Sequence, residues 1–308
     1  MEEETAMPSG ILIIDKPEGW TSMDVCAKLR GVFHEKRVGH GGTLDPMATG
    51  VLPIFVGRAT RAVEFTEQSD KEYVAGLKLG VITNTQDTSG EILEQRPVRV
   101  TWEQLEEALE PFRGDILQIP PMYSAIKING KKLYELARKG REVERPARPV
   151  TIKALELLEQ QGEDLYTIRV RCTKGTYIRT LCHDIGQALG CGGCMASLRR
   201  TMAAGFTLVP DYMNGAYTLD QILTTEHPEK LLLPVDRLFS DLPAVVIQGR
   251  AVFQARNGAP FPAQPPQGCT TWHDGGLCRI YDGPRNEFLA VGRYTGKEIK
   301  IVKSFFAV

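Results

Sequence analysis

Gly39-His40-Gly41-Gly42-Thr43-Leu44-Asp45-Pro46-Met47-Ala48-Thr49-Gly50 decides how this 308-residue chain is read. Its four glycines leave the backbone free to approach a ligand closely or to turn through positive φ. Pro46 steers the residue before it away from helical geometry, so Asp45 lies on an extended, restrained segment. A carboxylate held beside a glycine-rich loop can act as a nucleophile or a base. It can equally be a turn-forming aspartate bonded to its own backbone, and the stretch alone leaves both readings open. A Walker-type phosphate cradle is excluded, because no G-x-x-x-x-G-K-[ST] occurs in the chain.

On the N-terminal side, Ile11-Leu12-Ile13-Ile14 followed by Asp15-Lys16-Pro17-Glu18-Gly19 reads as a buried strand closed by a turn. Thr21 or Ser22 then caps a helix with Val25, Leu29 and Val32 on one face. On the C-terminal side, Val51 to Val56 is a second apolar run, and Lys71 to Leu79 alternates, with Tyr73, Ala75, Leu77 and Leu79 facing inward. Thr101 with Gln104 at capping-box distance opens an amphipathic helix carrying Leu105, Ala108, Leu109 and Phe112. Strand-like runs at 150–158 and 165–172 flank the turn Gln161-Gly162-Glu163, and a helix from Thr176 to Leu189 stops at Gly190. Beyond about residue 240 the runs 244–247, 277–281, 287–292 and 298–302 are short and divided by Gly, Pro and Asn. Thr295-Gly296 marks a hairpin turn and Pro260 to Pro266 a surface loop. The pattern predicts a flexible tail over 1–10, an α+β domain over 11–240 and a small all-β module over 241–308.

Composition is that of a soluble globular protein, 42% hydrophobic and 24% charged. No stretch approaches the roughly 18 apolar residues of a membrane helix, and the start Met1-Glu2-Glu3-Glu4 is acidic where leaders are basic. A cytoplasmic protein is expected. Seven cysteines (26, 172, 182, 191, 194, 269 and 278) lack a framework spacing, which predicts reduced thiols. Cys191 and Cys194 have C-x-x-C spacing, but a tetrahedral metal site needs two more ligands and no second pair lies at comparable spacing. A glycine-rich turn with buried thiols is expected there, and no metal. Net charge is −1, yet Lys127 to Lys153 holds nine basic residues against three acidic, while Asn84 to Gln118 holds eight acidic against three basic. A polyanion-binding protein need be basic on one face only, although a solvated helix face would leave the same trace.

The stretch GHGGTLDPMATG resembles the signature of the TruB family of tRNA pseudouridine synthases. Further segments match in the same order: GILIIDKPEG from Gly10, Lys71-Glu72-Tyr73 ahead of Leu79-Gly80, PPMYSAIKING from Pro120, KGTYIRT from Lys174, and Gly190-Cys191-Gly192 followed by Leu198-Arg199-Arg200. Gly41 stands where many members carry threonine. The resemblance implies a pseudouridine synthase fold: a central mixed, largely antiparallel sheet flanked by helices, with a thumb-like RNA-binding insertion at about 120–150. It further implies a small C-terminal β-barrel-like module of PUA type, on length and texture alone.

Position by position, the resemblance makes Asp45 the nucleophile toward a tRNA T-loop uridine (position 55 in tRNA numbering). Arg179 becomes its cationic partner, and Tyr73 the residue that stacks on the target base and acts on its C5 proton. Tyr177 and Leu198 line the uracil pocket, His40 meets the flipped nucleotide, and Lys16 supports the Asp45 loop or a phosphate. Lys127, Lys131, Lys132, Arg138, Lys139 and Arg141 are candidates for the RNA backbone. No cofactor, membrane or obligatory protein partner is implied, and a monomer is expected. Two alternatives stand beside this: a guide-RNA-dependent pseudouridine synthase with a related signature, and a tRNA-refolding chaperone.

Overall fold

The computed structural model describes residues 7–124, 126–128, 130–208, 215–263 and 273–306. Of the expected tail, residues 1–6 lie outside this set, and Gly10 already belongs to the first strand. The fold is α+β and contains two main sheets. The first has nine strands, of which eight matter here: β1 (Gly10–Lys16), β2 (Val38–His40), β3 (Thr49–Val56), β4 (Lys71–Leu79), β5 (Gly114–Gln118), β6 (Arg148–Gln160), β7 (Leu165–Cys172) and β8 (Gly193–Ala203). Their order is β1-β3-β8-β4-β7-β6-β5, with β2 beside β3. All these pairings are antiparallel except β3 with β8.

Helices α1 (Ser22–Phe33), α2 (Trp102–Leu109), α3 (Leu133–Ala137), α4 (Ile178–Ala188), α5 (Leu219–Thr224) and α6 (Arg250–Arg256) complete the frame. Thr21 caps α1 through a capping box with Asp24, and Thr101 caps α2 through Gln104. Val25 and Leu29, Leu105 and Leu109, and Ile178, Leu181 and Ile185 join Leu12, Ile14, Leu52, Ile54, Ala75 and Leu77 in one core. Ile11, Ile13, Val51 and Phe55 point the other way, into a second core with Phe239, Val291 and Phe305. Burial on both faces explains why β1 reads as an unbroken apolar run where a half-exposed strand would alternate. Its free edge is covered by backbone bonds to Leu233 and Tyr217.

The second sheet comprises β9 (Ala244–Ile247), β10 (Phe261–Pro262), β11 (Leu277–Asp282), β12 (Glu287–Tyr294) and β13 (Glu298–Ser304), in the order β9-β11-β12-β13-β10. The four apolar runs found in the sequence are four of these strands. The region is not all-β, because α6 sits between the first two, and Phe261–Pro262 pairs with β13 where a surface loop was expected. Residues 264–266 of that loop lie outside the described set. The larger difference is β8, eleven residues at the centre of the first sheet. Its alternation is interrupted by Arg199 and Arg200, and Arg200 is fully buried where the pattern calls for an apolar residue.

The β3–β8 contact leaves no room for a side chain at Gly50, which has φ +102° and whose added Cβ would fall 2.2 Å from the Arg200 carbonyl oxygen. Gly162 also has positive φ, +82°, but nothing lies within 4 Å of its would-be Cβ. Gly162→Ala should therefore cost only the conformational term, about 1 kcal/mol. Gly50→Ala should cost more than about 3 kcal/mol, because strain and overlap add. Urea denaturation midpoints of the two variants check this ordering.

Candidate active site

The loop between β2 and β3 carries Asp45, and both its neighbours are pinned. The Leu44 N–H donates to the Ser22 hydroxyl (2.9 Å), which donates back to the Leu44 carbonyl (3.3 Å). The Pro46 carbonyl accepts from the Gly19 N–H at 2.8 Å and from the Lys16 ammonium at 3.2 Å. Lys16 also donates to the carbonyls of Trp20 (2.7 Å) and Pro17 (2.8 Å). All three of its N–H groups are thus spent on backbone and the residue is fully buried, so this side chain braces the loop and has no donor left for a phosphate. Burial lowers its pKa, opposed by the charges of Asp45 and Glu18.

Asp45 keeps 42% of its side chain exposed and meets the nearly buried Arg179 at 3.2 Å. Arg179, in the first turn of α4, has three further partners. Its guanidinium reaches Asp87 at 3.5 Å and donates to the carbonyls of Tyr123 (2.8 Å) and Thr85 (3.3 Å). Asp87 is buried and held by Thr85 Oγ1 (2.8 Å), the Ser89 N–H (3.0 Å) and the Ser89 hydroxyl (2.5 Å). The start of α4 has no side-chain cap of its own. The buried Gln118 amide serves instead, accepting from the Tyr177 N–H at 2.7 Å and donating to the Tyr177 carbonyl at 3.0 Å. Helix, loop and the segment that follows β5 are fastened together at this point.

Tyr73 is buried on β4, opposite Arg200 on β8. Burial raises its phenol pKa; the adjacent Arg200 opposes that rise, and the Asp45 charge adds to it. The phenol of Tyr177 is likewise raised by burial, with Asp45 among the charges acting on it. Asp45, Arg179, Tyr73, Tyr177 and Lys16 therefore share one site. Leu198 lies on β8 opposite Ala75, partly buried against the first core. His40 ends β2 with Nδ1 buried and unpartnered; burial and Arg200 both lower its pKa, which favours the neutral ring. At Gly41 an added Cβ would lie 3.0 Å from the Phe55 ring and 3.1 Å from Thr66 Oγ1. The threonine common in the family would need those two neighbours to give way.

The basic residues stand apart from this cluster. Between Pro120 and Val150 the chain forms a small hairpin (Lys127–Ile128 with Lys131–Lys132) and then α3. Lys127, Lys131, Arg138, Lys139 and Arg141 are exposed, and the Arg138 guanidinium lies 5.4 Å from the centre of the Tyr134 ring. The Lys132 side chain lies outside the described set. Cys191 and Cys194 are buried thiols beside the turn glycines Gly190 and Gly192, and burial pushes Cys194 up to about 11.

Comparison with known proteins places the chain in a family. The family model described as "TruB family pseudouridylate synthase (N terminal domain)" matches residues 30–178, and "tRNA pseudouridylate synthase B C-terminal domain" matches 179–240. Proteins named tRNA pseudouridine synthase B from Alkaliphilus oremlandii and Clostridium kluyveri are similar. The first is 48% identical over 81% of this chain and 82% of its own, the second 40% over 96% and 99%. This chain belongs to the TruB family. Among solved structures, "Crystal Structure of a Cbf5-Nop10-Gar1 Complex" superposes with TM-score 0.73 at 29% identity, over 98% of this chain and 87% of that one. "Crystal structure of the archaeal box H/ACA sRNP Nop10-Cbf5 complex" gives 0.71 at 26%, over 99% and 89%.

Three site residues escape a reading of the TruB-type sequence alone. Asp87 lies in an acidic stretch with no local mark of burial, Gln118 has no periodic signal, and Arg200 stands inside a recognised motif without an assigned task. Only the fold brings them to Arg179, Tyr177 and Tyr73.

The helix bearing Arg179 also carries Asp184, whose carboxyl is lifted by burial from 3.8 to about 6. Between these values the folded chain binds the proton more readily than the unfolded one. That contribution to stability is complete below the lower value and is lost as pH rises through about 6. Asp184→Asn cannot ionise, so it should be more stable than the parent at about pH 7.5, by on the order of 1–2 kcal/mol, and should match it near pH 4. Urea midpoints at the two pH values test the sign.

Proposed function

We propose that this chain converts the T-loop uridine of tRNA, position 55 in tRNA numbering, to pseudouridine, with Asp45 as nucleophile. The carrying observation is the ion pair that presents a half-exposed Asp45 carboxylate to solvent while Arg179 stays nearly buried behind it. The buried Arg179 guanidinium stands beside that carboxylate, and the pinned loop fixes where its oxygens point. Attack at C6 of the uracil or C1′ of the ribose breaks the C1′–N1 bond. The base turns, C5 bonds to C1′, the C5 proton leaves and Asp45 is released. Substrate and product are isomers, so the reaction calls for no net oxidant, reductant or transferred group. Tyr73 stacks on the base and takes part at C5, Tyr177 and Leu198 wall the pocket, and His40 contacts the displaced nucleotide as a neutral hydrogen-bonding group.

Extracting a base from a folded T-loop costs a few kcal/mol, which phosphate contacts must offset. The exposed cations of the segment at about 120–150 supply them as a thumb, and residues 241–308 form a PUA-type module against the tRNA elbow. The setting is cytoplasmic, the protein monomeric and without an obligatory partner. The likeness to Cbf5 supports a guide-RNA-dependent alternative. The relatives named for tRNA, at 40–48% identity against 26–29% for those structures, favour the stand-alone reading.

The test is incubation with unmodified tRNA transcript and mapping of pseudouridine by chemical-adduct stops; conversion outside the T-loop overturns the reading. Asp45→Asn should lower the rate by more than about 10³-fold while tRNA affinity stays within about threefold, which also separates catalysis from chaperone-like binding. The triple change Arg138→Ala, Lys139→Ala, Arg141→Ala should weaken tRNA binding and reduce the salt slope of log Kd by about 2–3. Filter binding across a salt series reads that slope, and an unchanged slope removes the thumb from the interface.

A further inference from the structure

Arg200 has no exposed surface. Its Nε donates to the Val51 carbonyl (2.7 Å), Nη2 to that of Gly42 (3.1 Å) and Nη1 to that of Thr43 (3.4 Å), and the Tyr73 phenol lies against the same guanidinium. One planar group thus grips both ends of the loop that carries Asp45 and touches the tyrosine across the site. Among the described residues no carboxylate lies within ion-pair distance of it, whereas its neighbour Arg199 forms an ordinary pair with Asp15 at 2.8 Å.

A buried cation without a counter-charge is costly, and an apolar side chain of the same length is often the more stable choice where only filling is required. Burial disfavours the charged form of Arg200, and likewise that of nearby His40 and Lys71, on which the Arg200 charge acts in the same direction. Such a group repays its cost through the geometry it imposes. An arginine fork holds several acceptors in fixed directions, which an ammonium on a flexible stem does not.

We infer that Arg200 is a positioning residue for the isomerisation, holding the Asp45 loop and the Tyr73 phenol in one fixed relation across the bound uracil. The inference rests on the functional reading above. Arg200 acts without touching substrate: its donors face backbone, and its effect on the reacting atoms passes through Asp45 and Tyr73. Loss of this brace leaves the RNA-binding surface intact and loosens the catalytic pair.

The test uses the full chain, an unmodified tRNA transcript labelled with tritium at uracil C5, single-turnover tritium release, and filter binding. Arg200→Met should slow release about 10²-fold, the scale of an ångström of misplacement, with Kd within about threefold. Arg200→Lys keeps the charge and loses the planar fork, so it should lose less, on the order of tenfold. Its loss should combine less than additively with that of Tyr73→Phe, because both act on the same phenol. Thermal midpoints report folding, and Arg200→Lys carries the test should Arg200→Met not fold. Unchanged release, or release and binding capacity falling together, overturns the inference and leaves Arg200 a packing residue. Additive losses with Tyr73→Phe overturn the link to the phenol. A parent chain that converts no T-loop uridine overturns the functional reading, and this inference with it.

Discussion

Arg179 holds two carboxylates at once, and the site is built around that asymmetry. Asp87 is buried and saturated by Thr85 and Ser89, whereas Asp45 is half exposed and has no comparable set of donors among the described residues. Paired with Asp45 alone, the guanidinium would sit at the end of a long side chain facing water, where ion pairs contribute little. Asp87 and the carbonyls of Thr85 and Tyr123 hold it from behind. The cation is thereby fixed in space, and only its outer side is offered to Asp45. Two acids against one guanidinium also leave the trio with a net negative charge. Lys16, whose own protonation the Asp45 charge supports, is bonded to the Pro46 carbonyl in the same loop.

That arrangement needs distant parts of the chain to meet with little slack. The loop comes from between β2 and β3, the arginine from α4, and the tyrosine from β4. Parallel pairing of β3 with β8 brings Gly50 against Arg200, and antiparallel pairing of β8 with β4 brings Arg200 against Tyr73. The Gly50 position, closed to any side chain, is thus a condition of the site as well as of the sheet. Gln118 fastens the far end by bonding both backbone groups of Tyr177, two residues ahead of Arg179.

The elements whose burial is regular were legible in the sequence. β4 alternates as expected, with Tyr73, Ala75, Leu77 and Leu79 inside, and the capping boxes at Thr21 and Thr101 start helices where the residue types predict. What stayed hidden breaks the correlation between polarity and exposure. Arg200, Lys16, Asp87 and Gln118 are polar side chains in the interior; the first two and Gln118 are held chiefly by backbone, and Asp87 by Thr85, Ser89 and the distant Arg179. Hydrophobic periodicity registers such positions as interruptions, which is why the central strand β8 went unread while β1, β3, β4, β6 and β7 did not. The pairing of Asp45 with Arg179 came from the likeness of motifs; loop composition left a turn-forming aspartate equally open.

The point where the basic segment leaves the sheet adds a further constraint. Arg179 Nη2 serves both the Asp45 carboxylate and the Tyr123 carbonyl, and Tyr123 stands where the chain leaves the sheet for the basic segment. A displacement of that segment that moved the Tyr123 carbonyl would alter the hold on the same nitrogen that meets Asp45. Gln118 lies just before the same departure point and holds the helix start, so the segment starts from a fixed base. Under the proposed function, RNA contacts made by exposed lysines and arginines far from the reacting atoms are therefore felt at the nucleophile through a single shared guanidinium nitrogen.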